Sequence, residues 1–335
     1  LSLPPDADAP PPAPPSGPPG GRVFNLEGRP VPSVYLAAWL FAGGGLAVLF
    51  LTTQMAPGAA RSIAILLALV ALTLGLGAGA GYQAIARLAR DPARYRGPSP
   101  LLAFPLVVAL SALVSVLLGI VGVEPGGTPA GQLLGLLIVG GGYLAVTALF
   151  VVRTGALTWQ EMGFPAAGPA RARRALASFG TGILVALPAS VGILYLTAIV
   201  GSLLEVRAPQ VLAPATTELD RLILALAVVV VAPIGEEIFF RGFALSAWVR
   251  DLPERSAILR SAFFFAIVHV ANIGSVSFLV GAGQALLQMV VLVPLSVVLG
   301  LLLLRRGLLA SIGGHMTYNA IVLVLGFAAG AATTS

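Results

Sequence analysis

The sequence predicts an all-α fold: a polytopic membrane bundle of about eight to nine transmembrane helices, with its N-terminus in the cytoplasm. Three observations predict it. Hydrophobic residues make up 58% of the 335 positions and charged residues only 10%, against about a quarter in a soluble domain. Mean hydropathy is +0.98. Apolar runs recur along the chain, several of them as long as the ~20 residues needed to cross a hydrocarbon core.

Residues 1–33 come first. Proline and glycine dominate them, and such a segment buries no core, so a disordered, Pro-rich tail is expected. It has no basic stretch followed by an apolar one, so a signal peptide is not expected there. The apolar runs then follow at 35–56, 62–86, 101–122, 131–152, 176–204, 222–246, 257–273, 278–304 and 308–330. We divide them into N-terminal transmembrane helices with a cytoplasmic linker, 34–175, and a C-terminal core, 176–330. Pro294 marks a kink in the eighth run. "GLGAGAGY" at 75–82 resembles a nucleotide loop only superficially. It sits within an apolar run with no preceding strand, and small residues spaced this way let membrane helices approach closely.

Arginine placement sets the orientation. All nineteen basic residues are arginines. Arg87, Arg90, Arg94 and Arg96 fall in one connection; Arg153, Arg171, Arg173 and Arg174 in another; Arg250, Arg255 and Arg260 in a third; Arg305 and Arg306 in the last. These are alternate connections, so one side of the bundle carries them, and the positive-inside rule makes that side cytoplasmic. The net charge of +6 is therefore a membrane-topology signal, and no nucleic-acid partner is expected. There are no cysteines, which excludes thiol nucleophiles, disulfides and thiolate metal ligands.

Two acidic residues lie well inside a predicted helix, Glu236 and Glu237 in "GEEIFFRGF". An ionised side chain at the centre of a membrane helix costs roughly 2.5–3.5 kcal/mol. Glu237 and Arg241 are four apart, with the acid first, the favourable order for a pair on one face. Glu236 is five from Arg241 and points elsewhere, so it is the candidate general base. The only two histidines, His269 and His315, also fall in predicted helices. Phe265 and His269 share one face of theirs; His315 and Asn319 share one face of the last. Measured from the arginine-rich helix ends, Glu236, His269 and Asn319 rise about 15–18 Å, near the midplane, and a cluster opening toward the cytoplasmic half is expected.

Such a cluster supports hydrolysis. Glu236 would deprotonate a water, a histidine would position it or protonate the leaving amine, and Asn319 with a histidine would hold a developing oxyanion. Glu236, His269 and His315 are also a conceivable zinc set, although there is no HExxH pair and the ligands would come from three helices.

The ordered motifs EExxxR at 236–241, FxxxH at 265–269 and HxxxN at 315–319 resemble those of the CPBP (ABI) family. That family contains type II CAAX prenyl endopeptidases and bacterial bacteriocin-processing and immunity-associated relatives. The resemblance covers about 176–330, and "TWQEMGF" at 158–164 weakly resembles the stretch that often precedes the core. It implies an intramembrane endopeptidase in the bacterial cytoplasmic membrane, acting on a membrane-tethered peptide or protein through a cavity open to the cytosol. Glu236, His269, His315 and Asn319 would be catalytic, supported by Glu237, Arg241 and Phe265. Relatives are widely labelled metalloproteases. The expectation here is a glutamate mechanism with no cofactor, zinc being the alternative. The other classes weighed are a proton-coupled transporter, since midplane Glu and His also mark proton paths, and a non-catalytic immunity or scaffold protein. No inverted repeat of the motifs favours the transporter.

Overall fold

In a computed structural model of the chain, residues 29–206, 212–270 and 278–333 are described. Nearly all of the predicted tail lies outside them. Among the described residues every regular element is helical: α1 Pro32–Thr52, α2 Ala59–Ala86, α3 Pro100–Ile120, α4 Pro129–Val152, α5 Arg171–Leu204, α6 Glu218–Val249, α7 Glu254–Val270, α8 Phe278–Arg306 and α9 Leu308–Thr333. Eight are long and apolar enough to cross a bilayer; α7, at 17 residues, is the shorter one. The chain is an integral, multi-pass membrane protein.

The helix starts follow from local chemistry. Proline opens α1, α3 and α4, where its missing N–H costs nothing. Thr217 caps α6 in a reciprocal box with Asp220: the Thr217 hydroxyl accepts from Asp220 N, and Asp220 accepts from Thr217 N. That box starts α6 four residues before the apolar run does. α5 likewise begins early, at Arg171, because arginine and alanine continue a helix beyond the hydrocarbon.

α6 departs from the regular spacing the sequence implies. It widens into π-helical turns at Leu226–Val231 and again at Glu237–Leu245. The second stretch is buried at every residue. π turns are uncommon and recur at functional sites.

α6 is the hub, in contact with α4, α7, α8 and α9. Phe239, Phe240 and Phe243 pack with Phe104, Tyr143 and Phe264 in one aromatic cluster. Backbones touch where glycines meet. A Cβ on Gly235 would lie 2.8 Å from the Gly140 Cα of α4, and one on Gly182 of α5 would lie 2.0 Å from the Ala310 carbonyl of α9. The α1–α2 hairpin is built the same way, since a Cβ on Gly75 would lie 2.2 Å from Ala42 N. The glycine-rich stretch at 75–82 is thus helix packing.

The four arginine-bearing connections meet at one end of the bundle. Arg90 lies 3.6 Å from Asp251, whose carboxylate also accepts from Tyr95 N at 3.3 Å. Arg250 pairs with Glu161 and donates to the Ala156 carbonyl at 3.3 Å. Arg305 pairs with Glu254 at 2.8 Å. Gly163, at φ 88°, accepts from Leu308 N at 2.9 Å. Through that bond the "TWQEMGF" segment docks on the start of α9. At the opposite end the Gln132 side chain of α4 accepts from Ala213 N at 2.9 Å.

Candidate active site

The π stretch of α6 separates the two glutamates. Glu236 ends an α-helical turn and Glu237 opens the widened one. The Glu237 side chain is 0% exposed, and Glu236 is 17% exposed into a cavity. The cavity has a volume of about 570 Å³, enough for a short stretch of peptide.

Behind the cavity wall sits a fully buried network around Glu237. Arg241 Nη1 lies 2.9 Å from Glu237 Oε1, as the four-residue spacing predicts. His315 Nδ1 lies 2.8 Å from the same oxygen, and the Ser311 hydroxyl bonds the other one. Ser311 Oγ is also 2.9 Å from the Leu299 carbonyl. Arg241 Nη2 donates to Ser296 Oγ at 2.8 Å, and its guanidinium lies 4.1 Å from the centre of the Phe265 ring. A buried charge pair persists when most of its remaining donors and acceptors are met; the two serines and the aromatic face meet part of that demand, while Arg241 Nε has no hydrogen-bond partner among the described residues.

In front of that wall stands Glu236. His269 Nε2 is 3.8 Å from its Oε1, and His315 Nε2 is 3.7 Å from its Oε2. Both separations exceed direct hydrogen-bond range and suit a bridging water. The tautomers follow from the other ring nitrogens. His269 Nδ1 is 2.7 Å from the Phe265 carbonyl, which only accepts, so Nδ1 carries a proton. His315 Nδ1 faces the Glu237 carboxylate in the same way. With Nδ1 protonated, each ring in its neutral form turns an accepting Nε2 toward Glu236. Phe265, 1% exposed, packs against both imidazoles, with ring centres at 4.4 and 5.8 Å.

Asn319 also lines the cavity. One of its amide hydrogens is donated to the Val228 carbonyl at 2.9 Å; the second hydrogen and the Oδ1 remain for a ligand. That carbonyl belongs to the first π stretch of α6, Leu226–Val231.

All seven residues singled out in the sequence thus belong to one assembly. Glu236, Phe265, His269, His315 and Asn319 line the cavity, while Glu237 and Arg241 brace it from behind. Sequence reasoning missed Ser296 and Ser311. Ser311 had a faint signal, lying four residues before His315 on the same face; Ser296 had none. It also missed the link from His315 to Glu237, having assigned that carboxylate to Arg241 alone. Gln288 of α8 lines the cavity as well, and its Oε1 is buried without a hydrogen-bond partner.

The direction of the cavity reverses one expectation. It was expected to open toward the arginine-rich half. Its lining instead includes Val228 and Ala232, which precede Glu236 on α6, and Val322, which follows Asn319 on α9. Gln132 and Leu212, at the arginine-poor end, complete it. The other side of the site is filled: Phe239, Phe240 and Phe243 are 0% exposed, and Met162 and Leu157 from the connection 153–170, at the arginine-rich end, are buried against them.

Among the described residues no group of three or more His, Asp or Glu side chains is arranged to hold a metal ion. Glu236, His269 and His315 converge, with both Nε2 atoms 3.7–3.8 Å from the carboxylate.

A carboxylate and two imidazoles on an internal cavity of a membrane bundle are groups able to activate a water. Residues 218–321 match the family model "Type II CAAX prenyl endopeptidase Rce1-like". The matched segment carries the three motifs and lies within the core expected at 176–330. No curated protein and no solved structure matched the chain.

Proposed function

We propose that the protein is an intramembrane endopeptidase that cleaves a membrane-associated peptide with a water activated by Glu236. The observation that carries this reading is the placing of His269 Nε2 and His315 Nε2 around the Glu236 carboxylate, each just beyond direct contact. A water there donates one hydrogen to Glu236 and the other to an imidazole. Glu236 takes the proton as the oxygen attacks the scissile carbonyl. The second amide hydrogen of Asn319 then stabilises the oxyanion. Return of the proton to the leaving amine frees the two peptide ends. Glu237, Arg241 and Ser311 act by fixing the tautomer and position of His315.

In this reading the arginine-rich end faces the cytoplasm and the N-terminus lies on the same side. In this reading the reaction runs without a metal.

The test uses purified protein in lipid vesicles with a membrane-tethered peptide. Glu236→Gln abolishes cleavage and leaves thermal unfolding unchanged; cleavage at the normal rate by that variant would sink the mechanism. A strong chelator leaves wild-type turnover intact. Activity lost to the chelator and restored by zinc would replace the metal-free account.

A further inference from the structure

Three observations fix the route by which a substrate reaches Glu236. First, the arginine-bearing connections 87–99, 153–170 and 250–253 and the α8–α9 turn meet at one end, held by Arg90–Asp251, Arg250–Glu161 and Arg305–Glu254. Second, among the described residues the space between that end and Glu236 is packed; a groove at that end, lined by Trp159, Phe164 and Ile238, does not have Glu236 in its lining. Tyr95, Leu157 and Met162 of those connections are at most 2% exposed, and Phe239, Phe240 and Phe243 fill the space beneath them. Third, the cavity that holds Glu236 runs the other way, to Gln132 and to Leu212 in the connection before α6. Arginine-rich connections stay in the cytoplasm, so the accessible side of the site is the opposite one.

We propose that the site is loaded from the extracytoplasmic side, and that its substrate is a membrane-anchored peptide whose scissile bond lies in the outer half of the bilayer. This rests on the endopeptidase reading for the chemistry, but the direction of access follows from the cavity and the arginines alone. The lining further describes the peptide. Among the described residues it carries no arginine, so none of these offers a fixed cation to a free terminal carboxylate. Leu136, Leu212, Leu292 and Val322 suit uncharged, apolar side chains. The unpartnered Oε1 of Gln288 is placed to accept a substrate backbone N–H.

The absence of native cysteine makes the test direct. Single cysteines are introduced at Glu124, exposed in an arginine-poor connection, at Leu212 in the cavity wall, and at Arg255, exposed at the arginine-rich end. Each variant, as the full chain in sealed right-side-out vesicles, is treated with a membrane-impermeant maleimide before and after lysis. Glu124→Cys and Leu212→Cys react before lysis, and Arg255→Cys reacts only after it. Reaction of Arg255→Cys in sealed vesicles overturns the proposal. So does Leu212→Cys if it reacts only after lysis, or stays unreactive while Glu124→Cys is labelled. The labelling pattern does not depend on turnover. Normal cleavage by Glu236→Gln would therefore remove the glutamate mechanism and leave the direction of access standing, and the converse holds equally.

Discussion

The two adjacent glutamates have different neighbours, and their substitutions separate accordingly. Glu236 faces the cavity and two imidazoles across a gap, so in the proposed mechanism its loss falls on catalysis. Glu237 is enclosed with Arg241, His315 and Ser311. Glu237→Ala strands a buried guanidinium, and removal of one member of a buried pair costs about 3–5 kcal/mol. The expected result is a lower unfolding midpoint in detergent as well as lost turnover; an unchanged midpoint would show that the pair carries no stability. The charged members of this site were legible in the sequence because lipid makes charge expensive, so Glu236, Glu237, Arg241 and the two histidines stood out. Ser296, Ser311 and Gln288 did not, because a neutral polar side chain in a membrane helix costs little and finds backbone partners easily.

At the level of helices, the position of Glu236 depends on how closely α6 approaches α4. The crossing point is Gly140 against Gly235, one residue from the candidate base. Gly235→Leu requires the two backbones to separate and displaces Glu236 from the imidazoles. A 1 Å misplacement of a reacting group can cost about 100-fold in rate, so cleavage falls by about that factor while membrane insertion is retained. Turnover within a few-fold of wild type would show that the crossing tolerates a side chain. The nine helices of the described residues were legible from apolar length alone. The π stretch at 237–245 was not, because a reading at 100° per residue assumes the α form. The Glu237–Arg241 pairing survives the wider turn because the two side chains still reach one another at 2.9 Å. The cavity direction was equally hidden: helix depth places the site near the midplane, but only the packing of phenylalanines and connections decides which side of it is filled.

For the molecule as a whole, the arginine-rich end is an acid-sensitive fastening. Glu161 accepts from Thr158 N at 2.7 Å and from its hydroxyl at 2.9 Å, and it pairs with Arg250. The backbone bond from Thr158, with help from the hydroxyl and the guanidinium, lowers its pKa below the ordinary carboxylate value. A depressed folded-state pKa contributes stability above the unfolded value near 4.3, and that stability is lost as pH falls through the lower folded value. Unfolding measured from pH 6 to pH 3 therefore shows an acid loss that Glu161→Gln reduces; parallel curves for the two proteins would remove Glu161 from the fastening. The same fastening has a mechanical consequence. A bundle held by ion pairs at one end swings about that end, with its widest travel at the far tips. The tips here are the helix ends around Gln132 and Leu212, so any swing admitted by the pivot is felt most at the mouth of the cavity and least at the braced glutamate. A protease that must spread to admit a peptide, yet keep its water within a fraction of an ångström of a carboxylate, is served by that lever.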